Sequence, residues 1–368
     1  MLDGDARYVA RLQAILDTTV RHLGNEAALA AIQWSSGERL VLAAGTDKAG
    51  PSLSSPEDAV IMIASQTKTL VAACILKLFR QRGLSLDTRA CEFVDLGPID
   101  APVTIRQLLT CTSGLGEYDD LMFTPDYRGD VKLSPEELMK LTVLRGPSGP
   151  PGDHFEYANI NFVILALVVE GISGLAFQEA ARRLILEPLG LVMWFAAREE
   201  LPAAQMVPGY WQSRDREPVH ISALDHSAAF ATGDAACSVS TAIDFWAGLA
   251  NPTNASGISL ADLAAESVQA PLRVRKPASL GVQYGYGLEF RSWAGDPVVG
   301  HPGSIHGARS GSWVDLAKGI VTTIYVTSHA QSTEDPRIAA LRYPGPALYT
   351  ATLQTAYVLD DLHRRCAA

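Results

Sequence analysis

The sequence predicts an α/β unit made from the two ends of the chain, with a mainly helical domain inserted between them. Three observations predict it: a hairpin pattern within the first fifty residues, helical periodicity broken by long loops from about 84 to 275, and a return to strands after 280. With 368 residues and 48% apolar content the chain can bury a large core, and its length allows two domains.

Residues 5–23 carry apolar side chains at helical spacing (Val9, Leu12, Ile15, Leu16, Val20). The runs Ala28–Trp34 and Leu40–Leu42 flank Ser35-Ser36-Gly37-Glu38, which reads as a β-hairpin. A Pro/Ser-rich connection, Pro51 to Pro56, leads to a short strand at Val60–Ile63, and Ser65 opens a second helix. Its apolar pairs Leu70/Val71, Cys74/Ile75 and Leu78/Phe79 recur every four residues until Gly83 stops it.

Helical segments come next at Ile105–Thr110, Ser134–Leu144, Ile160–Gly171, Phe177–Leu186 and Thr241–Leu249. Ser134-Pro135 is a helix start, with Ser as N-cap and Pro at the first helical position. The run Arg145-Gly146-Pro147-Ser148-Gly149-Pro150-Pro151-Gly152 is neither helix nor central strand, so it is a loop that delivers the residues after it. Strands are expected at Tyr286–Arg291, Pro297–Gly300, Ser310–Val314 and Ile320–Ser328, with a turn at Lys318-Gly319 and a final helix over 346–364.

The formal net charge of −10 repels phosphate backbones and anionic headgroups, which disfavours a nucleic-acid or membrane-surface role. Five cysteines (Cys74, Cys91, Cys111, Cys237, Cys366) form no C-x-x-C pair and no zinc spacing, and read as small buried hydrophobes. Residues 1–7 lack a basic region followed by an apolar one, so a cytoplasmic protein is expected. No apolar run near a helix approaches the ~20 residues of a membrane span.

Three short motifs carry chemistry. Ser65-Gln66-Thr67-Lys68 places a hydroxyl at a helix start and an amine one turn on, and a desolvated lysine can take or relay the serine proton. With 26 Ser and 7 Lys, chance alone supplies roughly half such a pair per chain, so the motif by itself is weak. Tyr157-Ala158-Asn159 sits where the Pro/Gly loop meets an apolar helix. It offers a phenol and a carboxamide as proton shuttle and substrate clamp, or an ordinary Asn cap with a packed Tyr. In His301-Pro302-Gly303-Ser304, Gly303 permits close approach of the backbone and the Ser304 N–H is available to an oxyanion. His306, His154, His220, His226 and His329 read as surface or core residues, and His301 with His306 lacks a third metal ligand.

Ser65-x-x-Lys68, Tyr157-x-Asn159 and His301-x-Gly303, separated by 92 and then 144 residues, resemble the three motifs of the serine β-lactamase and penicillin-binding-protein superfamily. The likeness runs from about 28 to 330 and includes Gln81–Asp87, Val103–Leu115, Glu187–Leu191 and Tyr284–Leu288. The branch with His in the third motif is class C-type: Streptomyces-type D,D-carboxypeptidases, D-aminopeptidases, D-amino-acid amidases, family VIII esterases, and thioesterases or transacylases of penicillin-binding-protein type. The resemblance implies an antiparallel sheet flanked by helices, with residues 1–80 and 277–368 in the α/β domain, 81–276 in the helical domain, and the site in the cleft between them.

It also implies the roles. Ser65 attacks a carbonyl, Lys68 and Tyr157 form a coupled proton-transfer pair, and Asn159 orients the substrate. The N–H groups of Ser65 and Ser304 form the oxyanion hole, and His301 tunes Tyr157 by its charge. Neither cofactor nor metal is implied. Pro302 departs from the family, whose peptidases and β-lactamases usually carry Thr or Ser there to hold a substrate carboxylate; Ser304, Arg291 and Arg309 are the candidates to compensate. The expected function is acyl transfer from a small amide, ester or thioester to water or an amine. A D,D-carboxypeptidase or β-lactamase is the alternative, and a non-catalytic ligand-binding relative is a third reading. Trp211, Tyr210 and Phe230 are candidates for an aromatic wall or for core packing.

Overall fold

The computed structural model describes residues 3–23, 25–46, 53–100, 102–119, 127–213, 216–265, 283–293, 295–327, 329–331 and 345–367. Along the chain, the hairpin of β1 (Ala27–Gln33) and β2 (Arg39–Gly45) is followed by β3 (Val60–Met62). Short strands β4 (Trp194–Phe195), β5 (Tyr210–Gln212), β6 (Val219–His220) and β7 (Ala235–Ser238) come next. The closing set is β8 (Gln283–Tyr284), β9 (Glu289–Trp293), β10 (Asp296–Ile305), β11 (Ala308–Asp315), β12 (Ile320–Thr327) and β13 (His329–Gln331).

Seven of these form one antiparallel sheet in the order β2-β1-β12-β11-β10-β9-β8. β1 joins the two ends of the chain, because Ala28 lies opposite Ala44 of β2 on one side and Val326 of β12 on the other. Its unbroken apolar run is explained by burial on both faces. Ala28, Ala30 and Ile32 pack with Leu12, Leu16 and Val20 of α1 (Asp3–Leu23) and with Leu348, Leu353 and Leu359 of the C-terminal helix (Gly345–Ala367). Ala27, Leu29 and Ala31 face a larger core containing residues of α2 (Thr67–Arg82), α3 (Ile105–Leu109), α4 (Pro135–Arg145), α5 (Ile160–Ser173), α6 (Phe177–Ala181) and α7 (Val239–Ala250). The fold is thus an antiparallel sheet between helical layers.

Local signals explain the helix ends. Gly83 takes the left-handed conformation (φ 63°) that terminates α2, and Ser134 forms a capping box with Glu137 at the start of the helix Pro135–Arg145.

The structure corrects the sequence reading in three places. The stretch expected as a strand at Tyr286–Arg291 is split: Gly285–Leu288 is a turn with Gly287 at φ 66°, and β9 starts at Glu289. The strand expected to end at Gly300 runs on to Ile305, so His301–Ser304 lie within β10. The middle of the chain also holds strands, in the sheets β3-β7-β4 and β13-β5-β6, whose two to four residues are too short to show a period. Cys74, Cys111 and Cys237 are buried as expected, whereas Cys91 is exposed. Pro51, Ser52, Ser328 and the boundary at 276/277 lie outside the described residues. No single described helix is long and apolar enough to cross a membrane.

Candidate active site

Ser65 sits in a tight 3₁₀ turn, Ala64–Gln66, between β3 and α2, and Ala64 is held at φ 50°. A left-handed alanine costs on the order of 1–3 kcal/mol and persists only where its surroundings dictate it. The surroundings here are hydrogen bonds that tie the turn to two other elements. Ser310 Oγ of β11 donates to the Ile63 carbonyl (2.8 Å), Gln66 Nε2 donates to Ser310 Oγ (2.9 Å), and Trp246 Nε1 of α7 donates to Gln66 Oε1 (2.8 Å). β10 presses against the same turn. A Cβ on Gly303 would lie 2.3 Å from Ser310 Oγ and 2.5 Å from the Ile63 carbonyl oxygen, so only glycine fits.

Lys68 lies one helical turn on, fully buried beneath Ser65. Its Nζ donates to Ser65 Oγ (3.1 Å) and to the Thr232 carbonyl (2.6 Å), and stands 5.1 Å from the centre of the Tyr157 ring. Burial lowers its pKa to about 8, against the opposing pull of Glu117, Asp119, Cys111 and Asp234. A lysine so placed is a competent proton acceptor near neutral pH.

The Pro/Gly loop delivers Tyr157 and Asn159 as the sequence suggests. Its backbone is sewn to the 111–114 segment by Gly152 N–H to Thr112 O (2.7 Å), Glu156 N–H to Cys111 O (2.9 Å) and Ser148 N–H to Gly114 O (2.8 Å). A Cβ on Gly114 would fall 2.1 Å from the Gly149 carbonyl, so the two strands of this loop need glycine to meet. Burial pushes the Tyr157 phenol well above its usual range, against the opposing pull of Ser65. Asn159 is buried at the start of α5, and its side chain makes no capping hydrogen bond. Its backbone N–H donates to Glu117 instead.

His301 differs from its expected role. Burial, reinforced by the nearby Lys68, lowers its pKa to about 3, so the ring is neutral and has no charge with which to tune Tyr157. Nδ1 faces the Pro302 carbonyl at 2.6 Å and therefore carries the proton, leaving Nε2 to accept from the Tyr284 hydroxyl at 3.2 Å. Its centroid is 6.2 Å from that of Tyr157, and Tyr284 meets both rings edge-on.

These residues surround a cavity of about 240 Å³. Ser65, Tyr157, Asn159 and Ser304 line it, with Lys68 beneath and His301 behind. β9 pairs with β10 only as far as Gly300, so His301–Ile305 are bordered by β11 on one side and approached by the Ser65 turn on the other. Asp119, Asp225, Thr232, Gly233, Tyr127 and His306 also line the cavity and were not singled out as site residues from the sequence.

His306, read as a surface or core residue, stacks on Tyr127 (4.6 Å between centroids) and meets Trp211 edge-on (4.3 Å). His226 lines the cavity too, with Nε2 2.7 Å from the Ile221 carbonyl. Trp211 supports the wall from behind, donating Nε1 to the Tyr127 carbonyl (2.7 Å), while Phe230 packs in the core against Phe177. Neither proposed arginine reaches the cavity. Arg291 pairs with Glu289 and covers Trp313, and Arg309 donates to the carbonyls of Ile305 and Ala308. Among the described residues no group of three or more His, Cys, Asp or Glu is placed to hold a metal ion.

An antiparallel sheet flanked by helices, with a serine and a buried lysine one helical turn apart and a phenol brought to them from a later part of the chain, has the parts that nucleophilic acyl chemistry needs. The chain belongs to the Beta-lactamase family, whose model matches residues 16–343. It is 25% identical over 301 residues to penicillin-binding protein 4 of Amycolatopsis lactamdurans, covering 78% of this chain and 77% of that protein. It is 29% identical to a D-aminopeptidase of Cereibacter sphaeroides over 232 residues, which are 61% of this chain and 42% of the aminopeptidase. The chain spans 31% of the length of PbpX from Bacillus subtilis. Among solved structures, D-amino acid amidase from Ochrobactrum anthropi SV3 matches with a TM-score of 0.79 at 24% identity, covering 95% of this chain and 99% of the amidase.

Proposed function

We propose that this enzyme transfers the acyl group of a small amide, ester or thioester through Ser65, and that its substrate presents an amine rather than a carboxylate to the cavity. In the first step Ser65 Oγ bonds to the carbonyl carbon while its proton passes to Lys68. The resulting oxyanion is met by the N–H groups of Ser65 and Ser304. Collapse breaks the bond to the leaving amine, alcohol or thiol, which takes a proton relayed through Tyr157 and Lys68. Water or an amine then attacks the Ser65 ester by the reverse route and restores the hydroxyl. Asn159 orients the substrate, and neutral His301 fixes Tyr284 beside Tyr157. The site is proposed to lie where the sheet meets the inserted segment, since its lining comes from Ser65 and 304–306 on one side and from residues between 119 and 233 on the other.

One observation carries the choice of substrate: among the described lining residues there is no Lys or Arg, while Asp119 and Asp225 are both present. A carboxylate entering such a wall meets like charge, and a protonated amine meets opposite charge. Pro302 adds no hydroxyl to hold a carboxylate. The names of the aminopeptidase and amidase relatives point the same way.

The test is product release from phenylalanine amide of either hand, its N-acetyl derivative, a chromogenic β-lactam and a D-Ala-D-Ala peptide, with and without added amines. Turnover of the free-amine amide above its acetylated form, abolished in Ser65→Ala, is expected. Preference for the β-lactam or the peptide would overturn the substrate reading, and absence of any Ser65-dependent product would overturn the reaction.

A further inference from the structure

Asp234 is fully buried, and no cation pairs with it among the described residues. Its Oδ1 accepts the Ala231 N–H at 2.9 Å, while Oδ2 has no hydrogen-bond partner among them. The N–H groups of Ala197 and of Asp234 itself lie near the carboxylate and hold it down against burial, which nevertheless raises its pKa to about 7. Burying a carboxylate this way costs several kcal/mol, and accepting from backbone N–H groups does not by itself require a charge.

What the carboxylate grips is the turn that ends at Lys68. Ala231 is held at φ 56°, and Thr232 and Gly233 both donate their N–H groups to the Ala229 carbonyl (2.9 Å each). That geometry aims the Thr232 carbonyl at Lys68 Nζ. The next residues close the frame: Ala235 N–H donates to Thr67 Oγ1 (3.2 Å), Thr67 Oγ1 donates to the Ala64 carbonyl (2.8 Å), and Ile63 N–H donates to the Ala235 carbonyl (3.0 Å). The 231–235 segment is therefore tied to both sides of Ser65.

We propose that Asp234 is a positioning residue for acyl transfer: its carboxylate clamps the Ala231–Gly233 turn so that the Thr232 carbonyl holds Lys68 against Ser65. The proposal rests on the roles assigned to Ser65 and Lys68 in the proposed function. The charged and titratable groups facing Lys68 are Glu117, Asp119, Cys111, Asp234, Tyr157 and His301. Asp234 itself faces Glu199, Tyr118 and Lys68.

The experiment measures the rate of Ser65 labelling by a fluorophosphonate from pH 5 to 10, by intact mass, on wild type, Asp234→Asn and Asp234→Ala, with thermal unfolding in parallel. Asp234→Asn keeps an acceptor for the Ala231 N–H and loses the negative charge. It should label within about 3-fold of wild type across this pH range, because the acceptor that holds the turn is kept. Asp234→Ala loses the clamp and should label roughly 10-fold or more slowly. Labelling by folded Asp234→Asn that is roughly 10-fold or more slower than wild type overturns the proposal, as does wild-type labelling by folded Asp234→Ala; if the alanine variant fails to fold, the asparagine variant decides. An unlabelled wild type would instead reject the assignment of Ser65, which keeps the two failures distinct.

Discussion

A lysine amine withdrawn from water, 3.1 Å from a serine hydroxyl and pushed down to about 8, sits beside a phenol pushed in the opposite direction. Both shifts arise from burial, which disfavours whichever form is charged. The phenol therefore keeps its proton at neutral pH, and neutral Lys68 is the group that accepts one. Because the base works deprotonated, kcat/KM should rise with pH and level off above about 8, an apparent value belonging to the Lys68–Tyr157 pair. Lys68→Met should lower it by roughly 10²–10⁴-fold; a profile flat from pH 6 to 9 would remove Lys68 from that role. The same reasoning makes His301 a spectator to pH. With its pKa near 3, its imidazole should show no titration between pH 5 and 9 when followed by NMR, and a midpoint near 6.5 would refute the buried, neutral ring.

At the scale of elements, the site depends on β10 lying flush against the turn that carries Ser65. Gly303→Ala would drive a methyl group into Ser310 Oγ and the Ile63 carbonyl. The expected result is about 1–3 kcal/mol of lost stability in chemical denaturation, with a larger proportional loss of kcat/KM because the Ser65 N–H moves with the turn. The motif that places this glycine was legible in the sequence, as were Ser65, Lys68 and the Pro/Gly loop before Tyr157, because each depends on side-chain type at fixed spacing. The Thr232 carbonyl, which takes the shortest hydrogen bond of Lys68, was not, since every residue has a carbonyl and only the fold says which one is aimed. Tyr127 and His306 were missed for a related reason: their stacking joins two loops 179 residues apart, and neither loop has a period. The charge expected on His301 failed because burial is a property of the assembled sheet, which no local pattern reports.

For the molecule as a whole, the sheet separates two cores with different duties. One face supports the layer that contains Ser65, Lys68 and α5; the other is closed by α1 and the C-terminal helix, packed over Trp34, Trp313 and Ile324. Since β1 contributes alternate residues to both, the outer layer secures the join between the chain's two ends without touching the cavity. Damage there should be felt as stability alone. Leu353 is 3% exposed in that outer core, so Leu353→Ala should cost about 2–5 kcal/mol, read as a lower midpoint in denaturant. At 25 °C, where the variant remains folded, its kcat/KM should stay within about twofold of wild type, because no hydrogen bond around Ser65 passes through the helix that was changed. A drop in kcat/KM comparable to that of Gly303→Ala, at a temperature where both variants are folded, would show that the sheet transmits strain from one face to the other and that the two cores act as one.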